Sequence, residues 1–474
     1  MRRPICWTEK TPEGRREIRV SLSADAVRWQ FLLPGAERWN YALTPTEADW
    51  ETLEQKVANI MQRRRFVAAE MDIVRRRGRR RADVPSRPGR EGGCERRNGT
   101  ILLRRPMEFY VTAAPGTEGA LRDELSELGF RQVRLNHGGI PFFGDWSEGW
   151  RACMATHIGQ RVMAVMGRFS APDLENVYDA VSEVRWEDYL TPAQTFAVYA
   201  YTHASTGWSP NQVALKAKDA IADQLRHSFG ERPNVDKEDP DVRVFVYWAR
   251  GKATVYLDLS GEPLFKRGYR LLGGEAPLKE TLAAAVVRLS GWDRSTPLVD
   301  PMCGSGTLPI EAALWAADIA PNLRRERFGF QRWASFDAEA ARRLKEVQGE
   351  LRRGRNSQMP RITGFDIDER ALDAAHANAQ NAGLRLSFRR MPLRELQPDN
   401  TRRLLVCNPP YGIRLDADNQ LYQDLANAVH RLKGWRIAIL AGSPRCVAGI
   451  RIQPVETHPL KNGDIDCRLL VYEP

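Results

Sequence analysis

The 474-residue sequence is short of cysteine, of unbroken apolar runs and of acids to match its bases. Its seven cysteines, Cys6, Cys94, Cys153, Cys303, Cys407, Cys446 and Cys467, are scattered, and no two have zinc-ligand spacing. Neither a disulfide framework nor a metal site is implied, and reduced thiols in a cytoplasmic protein are the expectation. No stretch approaches about 18 uninterrupted apolar residues, which excludes a membrane-spanning helix. The opening run MRRPICWTEKTPEGRRE carries charge but lacks the apolar core of a signal peptide. Lys and Arg number 71 against 60 Asp and Glu, a formal charge of +11, with arginine far ahead of lysine. The planar guanidinium fork suits phosphate, so this balance fits a nucleic-acid partner without establishing one.

A chain of this length exceeds one comfortable core, and two to four domains are expected. Residues 1–82 read as a small basic β-β-α unit. EIRVSLS and VRWQFLL are its strands, and a Thr-capped helix follows in TPTEADWETLEQKVANIMQRRR, with Trp50, Leu53, Val57 and Ile60 on one stripe. Beyond it, Arg75, Arg76 and Arg77, then Arg79, Arg80 and Arg81, flank Gly78. A solvated helix end accounts for them, and so does an arm that tracks RNA phosphates. Residues 83–106, with SRPGREGG at their centre, have linker composition.

At Met107 the texture changes. MEFYVTAA reads as a strand, TEGALRDELSELGF as an amphipathic helix and QVRLNHGGIPFFG as a hairpin, an order that suggests a ferredoxin-like layer over 107–160. Over 161–262 the strand FAVYAYTH, the helix NQVALKAKDAIADQLRHSF and the hairpin VRVFVYWARGKATVYLDLS follow one another. Lys216 and Lys218 on that helix are candidate RNA contacts, whereas most of the strand aromatics are expected in the core. Over 263–474 helices and strands alternate to the end. The terminal runs around Lys461-Asn462-Gly463 form a hairpin signal. A mostly parallel sheet closed by an antiparallel hairpin is the architecture of class I methyltransferases.

Three strand ends in this last region carry chemistry. In LVDPMCGSGT, residues 298–307, a strand, an acid and a Gly-x-Gly turn precede a helix, so the backbone can approach a ligand closely. The turn lacks the third glycine of dinucleotide binders and the lysine of a P-loop. Asp300 can accept from a ligand ammonium, which S-adenosylmethionine has and a nicotinamide dinucleotide lacks. The second strand ends in GFDID, where Asp366 can take both ribose hydroxyls and Asp368 caps the next helix. The fourth ends in Asn408-Pro409-Pro410-Tyr411. Proline stops a strand and stiffens the loop. The Asn408 amide oxygen and the Pro409 carbonyl can then accept both N–H bonds of a nucleobase amine, with Tyr411 stacked on its ring. Together these ends read as methylation of an exocyclic amine by S-adenosyl-L-methionine.

From Met107 to Pro474 the chain closely resembles the bacterial THUMP-domain 23S rRNA guanine-N2 methyltransferases. The matching runs include RPNVDKEDPDVRV, LDLSGEPLFKRGYR, APLKETLAAA, DPMCGSGTLPIEAA, NPPYG and KNGDIDC. The resemblance implies an α/β chain with a Rossmann-like class I methyltransferase domain, preceded by ferredoxin-like and THUMP RNA-binding domains. It further implies cofactor contacts at Asp300, Cys303, Gly304, Gly306 and Asp366, with Pro301 and Ile367 adjoining them, and base binding at Asn408, Pro409, Pro410 and Tyr411. Asn408 also faces the cofactor in this reading. Lys279, Glu280 and Thr281 would lie beside the cofactor's methionine end, although helix-start packing explains them equally well. The insert PNLRRERFGFQRW looks like the family's and is open to two roles, covering RNA or cofactor, or packing between domains.

Two departures stand out. Many relatives carry a second methyltransferase half that makes 7-methylguanosine, and a chain ending at Pro474 is expected to perform one reaction only. After the third strand, where the family places an acid for the adenine amine, SFRRMPLREL offers Met391-Pro392, with Glu395 one turn on. The expected partner is 23S rRNA or a large-subunit precursor. A tRNA guanine-N2 enzyme, an N6-adenine methyltransferase and an inactive RNA-binding assembly factor stay open as alternatives.

Overall fold

Alternation of side chains decides the N-terminal unit. Ile5 and Trp7 on β1 (Ile5–Thr11), Ile18 and Val20 on β2 (Gly14–Leu22), and Trp29 and Phe31 on β3 (Val27–Leu32) form one apolar cluster with Leu53 and Val57 of α1 (Glu47–Gln62). The helix begins where Asp49 accepts from Thr46 N at 2.7 Å and the Thr46 hydroxyl accepts from Asp49 N. Buried Asp49 also takes Arg16 at 2.6 Å. The unit therefore has three strands in the order β1-β2-β3, one more than the sequence reading supplied. Ile5 and Trp7 alternate with exposed Cys6 and Thr8, a period-two signal hidden by the flanking charge.

In this computed structural model the described residues are 5–12, 14–22, 27–36, 39–40, 43–62, 106–203, 207–270, 278–354, 356, 358–399, 401–410 and 415–474. The arginines at 75–81, Cys94, the linker at 83–105 and Tyr411 lie outside them. Met1–Glu95 forms one compact unit and Arg96–Pro474 another. Among the described residues no helix is long and apolar enough to cross a membrane.

Among its described residues the second unit holds two sheets of seven strands each. The first is built from β4 (Met107–Thr112), α2 (Glu118–Glu127), β5 (Gly139–Gly144), α3 (Trp146–Ala155), β6 (Arg161–Ser170), α4 (Leu174–Ser182), β7 (Thr195–Thr202), α5 (Pro210–Phe229), β8 (Asn234–Val235), β9 (Val242–Ala249) and β10 (Lys252–Asp258). Its order is β5-β4-β6-β10-β9-β7-β8, so the ferredoxin-like and THUMP regions share one continuous sheet. The hairpin expected over QVRLNHGGIPFFG shrinks to β5 and a single bridge from Arg131 to Phe143. Gln132 takes φ +56, a conformation that ends a strand. Phe196, Phe245 and Trp248 are buried as expected, but Tyr201 and Tyr247, paired across β7 and β9, are exposed.

The second sheet follows α6 (Glu280–Leu289) and comprises β11 (Leu298–Asp300), α7 (Thr307–Ala316), α8 (Ala338–Arg353), β12 (Ile362–Asp366), α9 (Glu369–Asn381), β13 (Ser387–Arg390), β14 (Leu404–Cys407), α10 (Leu415–Arg431), β15 (Arg436–Ala441), β16 (Glu456–Asn462) and β17 (Ile465–Tyr472). Its order is β13-β12-β11-β14-β15-β17-β16, parallel through β15 and antiparallel at β17. This is the layout expected of a class I methyltransferase domain. β14 reads Leu-Leu-Val-Cys and is buried throughout, as a parallel strand covered on both faces must be.

The insert at 321–333 packs between the two layers. Phe330 stacks on Trp150 at 5.3 Å, Trp333 meets Trp146 edge-on, and Arg325 donates to the carbonyls of Pro263, Ser260 and Glu262. Arg332 is paired with Asp239 and Asp241. Of the two roles left open for this insert, interdomain packing is the one these contacts serve. A second clasp is wholly buried: Arg267 lies 3.3 Å from Glu311 on α7 and also donates to the carbonyls of Thr156, His157 and Leu264. Tyr269 donates to the same carboxylate at 3.0 Å. Removing one partner strands a buried charge. Glu311→Ala is therefore expected to lower stability by about 3–5 kcal/mol, read as a reduced urea midpoint.

Candidate active site

The turn after β11 is built to leave room. Asp300, 1% exposed, closes the strand, and its Oδ1 accepts from Met302 N at 3.2 Å. Gly304 and Gly306 take φ +53 and +84, which few other residues tolerate. A Cβ on Gly304 would meet no atom within 4 Å, whereas one on Gly306 would come within 3.0 Å of Ala375 and 3.2 Å of Phe388. The first glycine thus opens the turn to a ligand, and the second lets α7 approach α9. Cys303 N donates to Phe365 O at 2.8 Å, and the thiol lies close beside Gly364, turned into the core. Pro301 sits between these groups at the strand end.

The end of β12 is tied to that turn. Asp366 Oδ2 accepts from Gly304 N at 2.8 Å and Oδ1 from Asp368 N at 3.0 Å. Each carboxylate oxygen retains a second lone pair. Asp368 caps α9 by accepting from Arg370 N, as its place before the helix predicts. Ile367, between the two acids, is 66% exposed, an apolar platform at the sheet edge. Met391 N donates to Asp366 O, which brings the third strand end alongside, and Glu395 lies exposed in a short turn of helix nearby.

Asp300 is electrostatically unusual. Burial pushes its carboxyl well above the ordinary carboxylate range; the negative charge of Asp366 adds to this and the Met302 N–H opposes it. A cation arriving above β11 would therefore find an acid that gains from ionising.

At the end of β14, Asn408 is half-buried, Pro409 buried and Pro410 exposed. The Asn408 Oδ1 is enclosed by protein and has no hydrogen-bond partner among the described residues. Such an acceptor is costly to leave open, and it marks a place for a donor. Pro410 O accepts from the hydroxyl of Tyr422 on α10 at 2.7 Å, which pins the loop. The sequence reading missed Tyr422, because nothing in its helical spacing points to a loop twelve residues earlier.

A third group gathers where α6 begins. Thr281, 2% exposed, has an unpartnered hydroxyl, and Glu280 accepts from Arg270 Nε at 2.8 Å. Burial raises the Glu280 carboxyl, against the pull of Arg270. Arg270 was also missed, although it lies inside the quoted run LDLSGEPLFKRGYR. On the other sheet, Lys216 lies 2.6 Å from Glu175 and Lys218 2.8 Å from Asp219. Both ammonium groups are thus paired with acids.

Comparison with known proteins places these features in context. Residues 267–470 match the RMKL-like methyltransferase domain family, 171–258 the THUMP domain and 108–163 the RlmL ferredoxin-like domain. A curated relative from Syntrophotalea carbinolica, ribosomal RNA large subunit methyltransferase K/L, is 41% identical over 78% of this chain and 54% of its own length. The chain spans about half the length of the curated relatives it matches. Among solved structures, SMU.472, described as a candidate methyltransferase and complexed with SAH, is 29% identical, covers 78% of this chain and 99% of its own, and has a TM-score of 0.69. A protein from Listeria monocytogenes, described as a predicted N6-adenine-specific DNA methylase, is 30% identical, covers 80% of this chain and 99% of its own, and has a TM-score of 0.71.

Proposed function

Since this chain belongs to the THUMP-bearing, RMKL-like methyltransferase family, we propose that it methylates the exocyclic N2 amine of a guanine in large-subunit ribosomal RNA. S-adenosyl-L-methionine is its cofactor and, when bound, supplies an electrophilic methyl on a sulfonium. The room beside Gly304, the exposed Ile367 and the carboxylates of Asp300 and Asp366 at neighbouring strand ends suit that molecule. Asp300 would face its positive charge, Asp366 its ribose and Ile367 its adenine.

The observation that carries the reading is the enclosed, unpartnered Oδ1 of Asn408. An aromatic amine is a weak nucleophile, because its lone pair is delocalised into the ring. Accepting one N–H at Asn408 Oδ1 and the other at the Pro409 carbonyl would turn that lone pair out of conjugation and stabilise the positive charge that develops on nitrogen. Pro409 and Pro410 stiffen the backbone, and the Tyr422 hydroxyl holds the Pro410 carbonyl. Tyr411 would stack on the base and hold it for attack. No strong base is needed, since the methylated amine is acidic enough to lose its proton to water.

Large-subunit ribosomal RNA is favoured by the names of the K/L relatives, and guanine by the family resemblance of the sequence. An adenine amine is the second reading, on the strength of the Listeria protein's description. The arginines at 75–81 are proposed as an RNA-tracking arm. Domain limits at 1–82, 83–106, 107–160, 161–262 and 263–474 are proposed to separate a small basic unit, a linker, a ferredoxin-like domain, a THUMP RNA-binding domain and the methyltransferase domain. Incubating the purified protein with labelled cofactor and separately with large-subunit rRNA and tRNA, followed by nucleoside mass spectrometry, is expected to yield N2-methylguanosine from the rRNA. Label in N6-methyladenosine would select the second reading, and label in tRNA alone would overturn the ribosomal assignment.

A further inference from the structure

The geometry points to Arg270 as the residue that receives the amino-acid carboxylate of the cofactor, with the Thr281 hydroxyl as a second donor. This rests on the cofactor alone and not on which base is methylated. Arg270 lies between the starts of two helices. Its Nε donates to Glu280 Oε1 at 2.8 Å, and its Nη2 donates to Leu278 O at 2.9 Å and Thr307 Oγ1 at 3.0 Å. It thereby joins the first residue of α6 to the first residue of α7, the helix that springs directly from Gly306.

Two of the three guanidinium nitrogens are thus committed. The third, Nη1, is enclosed by protein and has no acceptor among the described residues, and neither has Thr281 Oγ1, one residue beyond Glu280. Two buried donors left open near the start of α6, where Arg270 is tied to Glu280, call for an acceptor, and one of them is charged. The N-termini of α6 and α7 add unsatisfied backbone N–H groups and the positive ends of two helix dipoles. A forked cation, a hydroxyl and two helix starts form a set that suits a planar carboxylate. They do not suit a ribose or an adenine, for which β12 supplies Asp366 and Ile367. Glu280 fits this arrangement as the group that orients the fork.

The test compares two probes that share adenosine and sulfur but differ in the amino-acid group: S-adenosylhomocysteine, and 5′-methylthioadenosine, which lacks it. Calorimetric titration of the full chain with Arg270→Gln is expected to show S-adenosylhomocysteine affinity reduced about 10–100-fold, with 5′-methylthioadenosine affinity unchanged. Arg270→Lys should recover part of the loss, and Thr281→Val should show a smaller loss confined to the same probe. Equal losses for both probes would assign Arg270 a purely architectural role and overturn the proposal. Unchanged S-adenosylhomocysteine affinity would overturn it too. Should Arg270→Gln not fold, the selectivity of Thr281→Val decides on the same terms.

Discussion

Asn408→Ala is expected to lower the rate of methyl transfer by about a hundredfold to a thousandfold, with S-adenosylhomocysteine binding near normal. The substitution removes one acceptor at the atom where positive charge develops and leaves the glycine turn, Asp366 and Asp300 untouched. A loss of that size is typical of deleting one preorganised dipole aimed at a transition state. The same residue supplies an independent check. Its Oδ1 is enclosed without a partner in the free protein, a state that costs about 1–3 kcal/mol. Alanine relieves that cost, so the variant should melt no lower than the parent and even somewhat higher, an exchange of stability for activity. Single-turnover transfer of a labelled methyl, cofactor titration and a thermal scan measure the three quantities. Turnover within a few-fold of the parent would remove Asn408 from the chemistry.

The second large effect is expected from Asp300. Burial, followed by the charge of Asp366, holds its carboxyl above the ordinary range, so in the free protein it keeps its proton to higher pH than an exposed aspartate. A cationic ligand favours the ionised form. Binding should therefore release a proton, and affinity should rise with pH from the ordinary carboxylate value up to the raised value of the free protein. The stability of the free protein should move the other way. A carboxyl whose folded value is raised favours folding below its unfolded value, and that contribution fades as pH climbs through the folded one. Asp300→Asn is expected to weaken cofactor binding about a hundredfold and to flatten its pH dependence. Titrations in two buffers of different ionisation heat count the proton. Parent binding that releases none, with the same affinity across this range, would contradict the assignment.

Much of this site can be read from sequence because its parts lie where a short apolar run meets a turn. Leu298–Asp300, Ile362–Asp366 and Leu404–Cys407 each end in residues that break a strand, and parallel pairing brings the three ends to one edge. Glycine and proline announce such places because their backbone limits are local. What sequence did not supply depends on distant partners. Arg270 matters through Thr307, and Tyr422 through Pro410. The acids beside Lys216 and Lys218 were not legible either, since Glu175 reaches Lys216 from another helix. In the insert, Phe330 and Trp333 are aromatic in any reading, and only Trp150 and Trp146 opposite them decide that they face inward. β1 was overlooked for a different reason, since its alternation covers few apolar residues and is flanked by charge.

The buried clasp of Arg267 on Glu311 has a mechanical consequence. Glu311 belongs to the helix that rises from the glycine turn, and Arg267 grips the chain just after α3 in the neighbouring layer, so a buried ion pair joins the two layers. Parting the two layers would strand a cation and an anion that water does not reach, so movement between them carries the cost of a broken buried pair.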